Sequence, residues 1–115
     1  MLATVKRILV VEDEALVALD IALGLADAGL EAVGPVGHLS QALVLGATER
    51  LDGAILDMNL HGEDVFPLAR LLAERGIPFV FYTGHGRRED TAETFPKAPL
   101  ISKPSTVEKL IQAIS

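Results

Sequence analysis

The chain contains no cysteine. That excludes a disulfide framework, thiolate metal ligands and a cysteine nucleophile, and it fits a reducing compartment such as the cytoplasm. Positive charge is scarce as well, with 10 Lys and Arg against 16 Asp and Glu and a net charge of −6. Non-specific nucleic-acid binding needs clustered Lys and Arg, and the one short basic cluster, Lys6-Arg7, reads as the solvated start of a strand. No run is apolar enough for a membrane. The richest stretch, residues 15–26, is broken by Asp20 and Gly24 and is too short to span a bilayer. The first residues place their charge directly before a strand-like run, which is not the order of a signal peptide. Internal repeats, low-complexity segments and linkers are also missing. These absences predict an acidic cytoplasmic domain that binds neither nucleic acid nor membrane.

What is present is a core. Half of the 115 residues are hydrophobic, which suits one domain over residues 1–115 without a structural metal. Apolar runs of strand length alternate with helical patterns. Residues 7–11 are nearly all apolar and β-branched, as in a strand covered on both faces. Residues 14–28 carry Leu16, Leu19, Leu23 and Ala26 at helical spacing, and Gly29 supplies a stop. A short strand at 30–36 ends around Gly34-Pro35, and a helix at about 40–47 contains Leu43 and Leu45. Residues 53–56 read as a third strand leading straight into Asp57. After a polar loop, Asp64 can cap a helix holding Leu68, Leu71 and Leu72, with Pro67 tolerated in its first turn. Residues 77–82 and 100–102 are the last strands, and Ser105 with Glu108 makes a capping-box pattern for a helix lined by Val107, Leu110, Ile111 and Ile114. Five alternations of strand and helix imply a parallel sheet. The polar segment 87–94 has only Ala92 and then Phe95 to anchor it, which predicts a short or mobile element.

Ligand sites of open parallel α/β sheets form outside the carboxyl ends of the strands. After the first predicted strand stand Glu12 and Asp13, after the third Asp57, after the fourth Thr83-Gly84, and after the fifth Lys103-Pro104. Each has a plain alternative: Asp13 as a helix cap, Asp57 and Thr83-Gly84 as turn residues, Lys103-Pro104 as a loop. Their joint occurrence at strand ends is the signal. Three clustered carboxylates repel one another unless a cation sits among them. Hard oxygen ligands with a partly open shell suit Mg²⁺, with Mn²⁺ able to substitute. The absence of cysteine and the scatter of the histidines argue against zinc. A metal would neutralise one carboxylate and the incoming phosphoryl oxygens, allowing the carboxylate to attack phosphorus. Lys103 and the Thr83 hydroxyl would then pair with phosphoryl oxygens.

This constellation, Glu12-Asp13, Asp57, Thr83 and Lys103-Pro104, resembles that of response-regulator receiver domains across essentially the whole chain. The resemblance implies a flavodoxin-like, doubly wound five-stranded parallel sheet of order 2-1-3-4-5 with about five helices. It makes Asp57 the phosphoacceptor, Asp13 the direct acidic metal ligand and Glu12 the one acting through water. The backbone carbonyl of Asn59 becomes a further ligand, Thr83 the switch hydroxyl and Lys103 the phosphoryl-binding lysine. It also implies a cis Lys103-Pro104 bond. The implied partners are a histidine kinase or phosphotransfer protein and an unidentified downstream protein, with the domain a monomer or weak dimer.

One position departs from the usual pattern. Most receivers carry Tyr or Phe three residues before the lysine, where this chain has Leu100. The segment 81–86, Phe-Tyr-Thr-Gly-His-Gly, is similar to the "FAT GUY" variant, often stand-alone domains, although Tyr82 stands where that motif usually has Ala. The expected switch is then an ordering of the loop from Gly84 through 87–94 as Thr83 is drawn to the phosphoryl group. His85 is either a tuner of acyl-phosphate hydrolysis or a solvated loop residue, and His38 and His61 read as ordinary loop residues. Two rival readings remain. One is a degenerate, unphosphorylated binding module of the same fold. The other is a haloacid-dehalogenase-like phosphatase, which would need a second Asp where Asn59 stands.

Overall fold

The computed structural model describes residues 5–84 and 88–115; His85, Gly86 and Arg87 lie outside the described residues. Five parallel strands form one sheet: β1 (Arg7–Val11), β2 (Glu31–Val36), β3 (Gly53–Leu56), β6 (Phe79–Thr83) and β7 (Leu100–Ser102). Their spatial order is β2-β1-β3-β6-β7, the 2-1-3-4-5 order of a flavodoxin-like sheet. Five helices accompany them among the described residues: α1 (Ala15–Asp27), α2 (Leu39–Thr48), α3 (Phe66–Glu74), α4 (Arg88–Thr91) and α5 (Val107–Ala113). The chain leaves β1 toward β2 and returns on the other side as β3, so a crevice opens between the ends of β1 and β3.

The strands are apolar throughout because both sheet faces are covered. Leu9, Val11, Ala54, Leu56, Phe79 and Phe81 face α2 and α3, packing on Ala42, Leu68 and Leu72. The alternate residues Ile8, Val10, Ile55, Val80 and Tyr82 face α1 and α5, packing on Ile21, Leu25, Leu110 and Ile114. Period-two side-chain alternation thus divides each strand between two cores.

Several local expectations need correction. Helix α1 buries Ala18, Ile21 and Leu25, whereas Leu16, Leu19, Leu23 and Ala26 are exposed, Leu16 to 82%. The inward face is chosen by Gly24, which lies against α5. A Cβ at Gly24 would stand 2.5 Å from Val107 Cγ2, so the helix accepts the entropic cost of glycine in exchange for close approach. The N-cap of α5 is Thr106, whose hydroxyl accepts the Lys109 N–H at 3.3 Å, rather than Ser105. Ser105 is held elsewhere, its N–H donating to the Tyr82 hydroxyl at 2.9 Å. Asp64 acts one residue out of register: Val65 holds the N-cap position of α3 while Asp64 Oδ1 accepts the Phe66 N–H at 2.9 Å.

The polar loop after Asp57 contains a small antiparallel hairpin, β4 (Asn59–Leu60) and β5 (Glu63–Asp64). Its two-residue turn places His61 at φ 49° and Gly62 at φ 83°, the left-handed pair that a tight hairpin demands. Of segment 87–94, the described residues 88–94 contain the four-residue α4, short as expected. Its anchors are the fully buried Thr91 and the buried Phe95, the latter packed 5.6 Å from Phe66 and 5.7 Å from Phe79 between ring centroids. The Lys103-Pro104 peptide is cis, and so is Gly34-Pro35.

Candidate functional site

Every strand that borders the crevice ends on a polar residue or runs directly into one. β1 runs into Glu12 and Asp13, β3 into Asp57, β6 ends on Thr83, and β7 is followed by Lys103. The backbone fixes their relative heights, with Val11 paired to Leu56, Leu56 to Phe81 and Thr83 to Ser102. The Lys103 N–H donates to the Thr83 carbonyl at 2.9 Å, which extends the β6–β7 ladder to the base of the lysine side chain. Together these ends border a cavity of about 540 Å³ lined by Asp13, Asp57, Asn59, Thr83 and Lys103, among others.

Within it, one oxygen from each of Glu12, Asp13 and Asp57 lies within 4.8 Å of the others, a grouping that could hold a metal ion. Lys103 Nζ reaches Glu12 Oε1 at 2.6 Å and Asp57 Oδ2 at 3.1 Å, with Glu14 Oε1 at 3.8 Å. Glu12, Asp57 and Thr83 are all buried. Burial pushes the Glu12 carboxyl up to about 7, and the Asp57 charge adds to this against the hydrogen bonds from Lys103 and the Glu14 N–H. Asp13 is less enclosed: burial raises it, but the His61 N–H and the adjoining Glu12 carry it below the usual carboxylate range. Burial works against the Lys103 charge, yet its contacts with Glu12 and Asp57 raise its pKa overall.

The geometry bears on two of the plain alternatives. Asp13 does not cap α1, whose N-cap position is Glu14; its Oδ2 accepts the His61 N–H at 2.9 Å. Asp57 faces Lys103 rather than closing a tight turn, although the Asn59 N–H approaches its Oδ1 at 3.5 Å. Asn59 lines the cavity while its side-chain oxygen accepts the Gly62 N–H at 2.9 Å and braces the hairpin.

Two residues have local roles that the sequence reading did not assign. His61 stacks on His38 with ring centroids 4.5 Å apart, so these two histidines are joined rather than separate loop residues. Tyr82 bonds Ser105 behind the lysine. The His-Gly pair after Asn59 was the signal available for the first. The expectation for His85 falls outside the described residues, and Leu100 is only partly buried, against the α2–α3 core. A second cavity of about 460 Å³ opens at the opposite edge of the sheet, around Ile77, Phe79 and Phe95, away from the carboxylate cluster.

Comparison with known proteins agrees with this geometry. Residues 8–115 match the family model described as the response regulator receiver domain. The transcriptional regulatory protein PdtaR of Mycobacterium tuberculosis is 31% identical over 97% of this chain and 56% of its own length, so the chain spans about half of that relative. SdrG of Sphingomonas melonis Fr1 is 37% identical with a TM-score of 0.81, covering 98% of each chain. SdrG has also been solved in a BeF3-activated conformation, with a TM-score of 0.76 over 97% of this chain and 98% of that one. A response regulator receiver protein from Sinorhizobium medicae WSM419 is 29% identical with a TM-score of 0.84, covering 96% of this chain and 91% of that one. The order of strands, the polar residues at their ends and these matches have one reading: the chain belongs to the response regulator receiver domain family.

Proposed function

We propose that residues 1–115 act as a single phosphoacceptor signalling unit in which Asp57 accepts a phosphoryl group from a histidine kinase or phosphotransfer protein. The observation that carries this is the position of the Asp57 carboxylate, at the topological switch point, among Glu12 and Asp13 and 3.1 Å from Lys103 Nζ. The donor set consists of hard oxygens with a net negative excess, which fits Mg²⁺ or Mn²⁺. Asp13 and Asp57 would hold the ion directly with the Asn59 carbonyl, and Glu12 through water. When bound, the metal supplies charge neutralisation between the nucleophile and the phosphoryl oxygens.

The chain's own groups then divide the work. An Asp57 oxygen forms the new bond to phosphorus, the bond from phosphorus to the donor nitrogen breaks, and the imidazole leaves with a proton. Lys103 already faces Asp57 and turns its charge to a phosphoryl oxygen, while the buried Thr83 hydroxyl meets another. The BeF3-activated conformation of SdrG, 37% identical, supports a switch of this kind. The outcome is a change of conformation that controls a partner protein, not turnover of a substrate. A kinase donor that draws on ATP places the domain in the cytoplasm, and no helix among the described residues is long and apolar enough to cross a membrane.

Incubation with acetyl phosphate and Mg²⁺ followed by intact mass tests the proposal. A single phosphoryl adduct, not formed when EDTA is present and absent from Asp57→Ala, is the expected result. An adduct that persists in Asp57→Ala would move the acceptor elsewhere, and none on the wild type, even with a panel of histidine kinases, would sink the reading.

A further inference from the structure

We infer that Tyr82 is a positioning residue for Lys103 and carries the state of the Asp57 pocket to the start of α5. The inference rests on the reading of Lys103 as the group that meets the phosphoryl oxygen. It starts from an anomaly in the core. The buried cluster between the sheet and α1–α5 is otherwise aliphatic, built from Ile8, Val10, Ile21, Leu25, Ile55, Val80, Leu110 and Ile114, and Tyr82 brings the one hydroxyl into it. A phenylalanine or leucine would fill that space without a polar group to satisfy, and a buried hydroxyl is unfavourable unless it is bonded.

The hydroxyl is bonded twice, to one residue. Tyr82 Oη accepts the Ser105 N–H at 2.9 Å and donates to the Ser105 carbonyl at 3.3 Å. Ser105 is two residues after Lys103 and one before Thr106, the N-cap of α5. At the other end of the same turn, the Lys103 N–H donates to the Thr83 carbonyl at 2.9 Å. Adjacent residues of β6, Tyr82 and Thr83, therefore pin both ends of the turn from which the lysine projects. The ring also lies beneath the ammonium, with Lys103 Nζ 5.8 Å from its centroid, within cation–π reach.

The consequence for the lysine is restraint. A lysine side chain has much rotamer freedom to lose, and among the described residues Lys103 is the basic one lining a cavity otherwise rich in carboxylates, including Asp13, Glu14, Asp57, Asp64 and Asp90. Fixing its base and setting an aromatic face near the ammonium holds the ammonium between Glu12 and Asp57. When the phosphoryl group arrives and the ammonium shifts toward it, the cation–π contact and the turn both feel the change. Tyr82 passes this to Ser105 and so to the cap of α5. The route is separate from position 100, where Leu100 packs toward α2 and α3 on the other face of the sheet.

The chain has a single tyrosine, so 3-fluorotyrosine incorporated during expression reports on Tyr82 alone. The ¹⁹F resonance is expected to shift when Mg²⁺ and beryllium fluoride fill the Asp57 pocket. Tyr82→Phe keeps the ring and removes both hydrogen bonds; it should accept phosphoryl from acetyl phosphate about tenfold more slowly. Its Mg²⁺ affinity by calorimetry should match wild type, since the carboxylates are untouched. A purely structural role would lower the melting temperature of Tyr82→Phe and leave the rate alone. A ¹⁹F line that stays in place overturns the transmission to α5, and a wild-type rate in Tyr82→Phe overturns the positioning. Both of these leave the receiver reading standing if the wild type acquires its adduct. Absence of any adduct on the wild type removes that reading and this inference with it.

Discussion

The two edges of the sheet handle charge in opposite ways. At the amino-terminal edge, Arg7 bonds Glu31 at 2.9 Å and Glu49 at 2.8 Å, and Arg50 pairs with Asp52 at 2.9 Å. Asp52 also accepts the Arg7 N–H at 2.8 Å, the main reason its carboxyl lies below the usual range. These side chains are between a fifth and a half exposed, and each negative charge has a partner. At the carboxyl edge, Glu12, Asp13 and Asp57 crowd together with Lys103, and burial drives Glu12 up to about 7. A fold optimised only for stability would not leave that excess of buried negative charge. The difference separates charges paired at the surface from a buried cluster with a perturbed carboxyl, the pattern of a functional-site candidate.

The largest effect expected from breaking the contrast is at Lys103. Its side chain is 15% exposed and it pairs with Glu12 and Asp57, whose side chains are 1% and 10% exposed. Lys103→Ala leaves two buried carboxylates facing each other without compensation, and should cost about 3 kcal/mol of metal-free stability near pH 8. Urea denaturation at pH 8 and pH 5 checks this, with a smaller loss expected at pH 5, where Glu12 can take up a proton. Equal losses at the two pH values would show that the carboxylates are not the cause.

A comparable effect follows from Glu12 itself. Its ordinary pKa of 4.5 is raised to about 7 in the folded chain, so the folded state holds a proton that the unfolded state has released. The associated stability is present below 4.5 and is lost as pH rises through about 7, a change on the order of 3 kcal/mol. Asp52 at the other edge has the opposite sign: its lowered pKa contributes stability above 3.8 that disappears on further acidification. The windows do not overlap. Metal-free wild type should weaken between pH 4.5 and 7, and Glu12→Gln should flatten that slope. A slope unchanged in Glu12→Gln would assign the proton to another group, and saturating Mg²⁺ should reverse the wild-type trend by binding the charged form.

The contrast also explains how far the sequence could be read. Glu12, Asp13, Asp57, Thr83 and Lys103 stood out because buried parallel strands are uniformly apolar, so the first polar residue after each run marks the ligand edge. Strand order and topology followed from the alternation and the resemblance. The inward face of α1 did not. Leu16, Leu19 and Leu23 are as apolar as Ile21 and Leu25, and the choice between faces is made by Gly24 against Val107, a contact between the first helix and the last. The hairpin at Asn59–Leu60 and Glu63–Asp64 was hidden by its polarity, since it depends on two left-handed residues rather than on an apolar pattern. The cap of α5 was misplaced by one residue because Ser105 and Thr106 are equally able to cap, and only the three-dimensional contact with Tyr82 removes Ser105 from contention.

The smallest expected effect belongs to the amino-terminal edge, and its smallness is the point. Arg50 is about half exposed, its partner Asp52 a third, and the pair lies in high-dielectric surroundings. Arg50→Ala removes that ion pair together with the hydrogen bond from its guanidinium to the Val5 carbonyl at 3.1 Å. Solvent screening limits the loss to less than about 1 kcal/mol, and 1 M salt should reduce it further. Denaturant midpoints for Arg50→Ala and Lys103→Ala, measured side by side at low and high salt, set the two edges against each other. The Arg50 effect should shrink with salt, while the Lys103 effect, screened by protein rather than by ions, should persist. If both shrink alike, the carboxyl edge is as open to solvent as the other, and the burial of Glu12 and Asp57 does not set it apart.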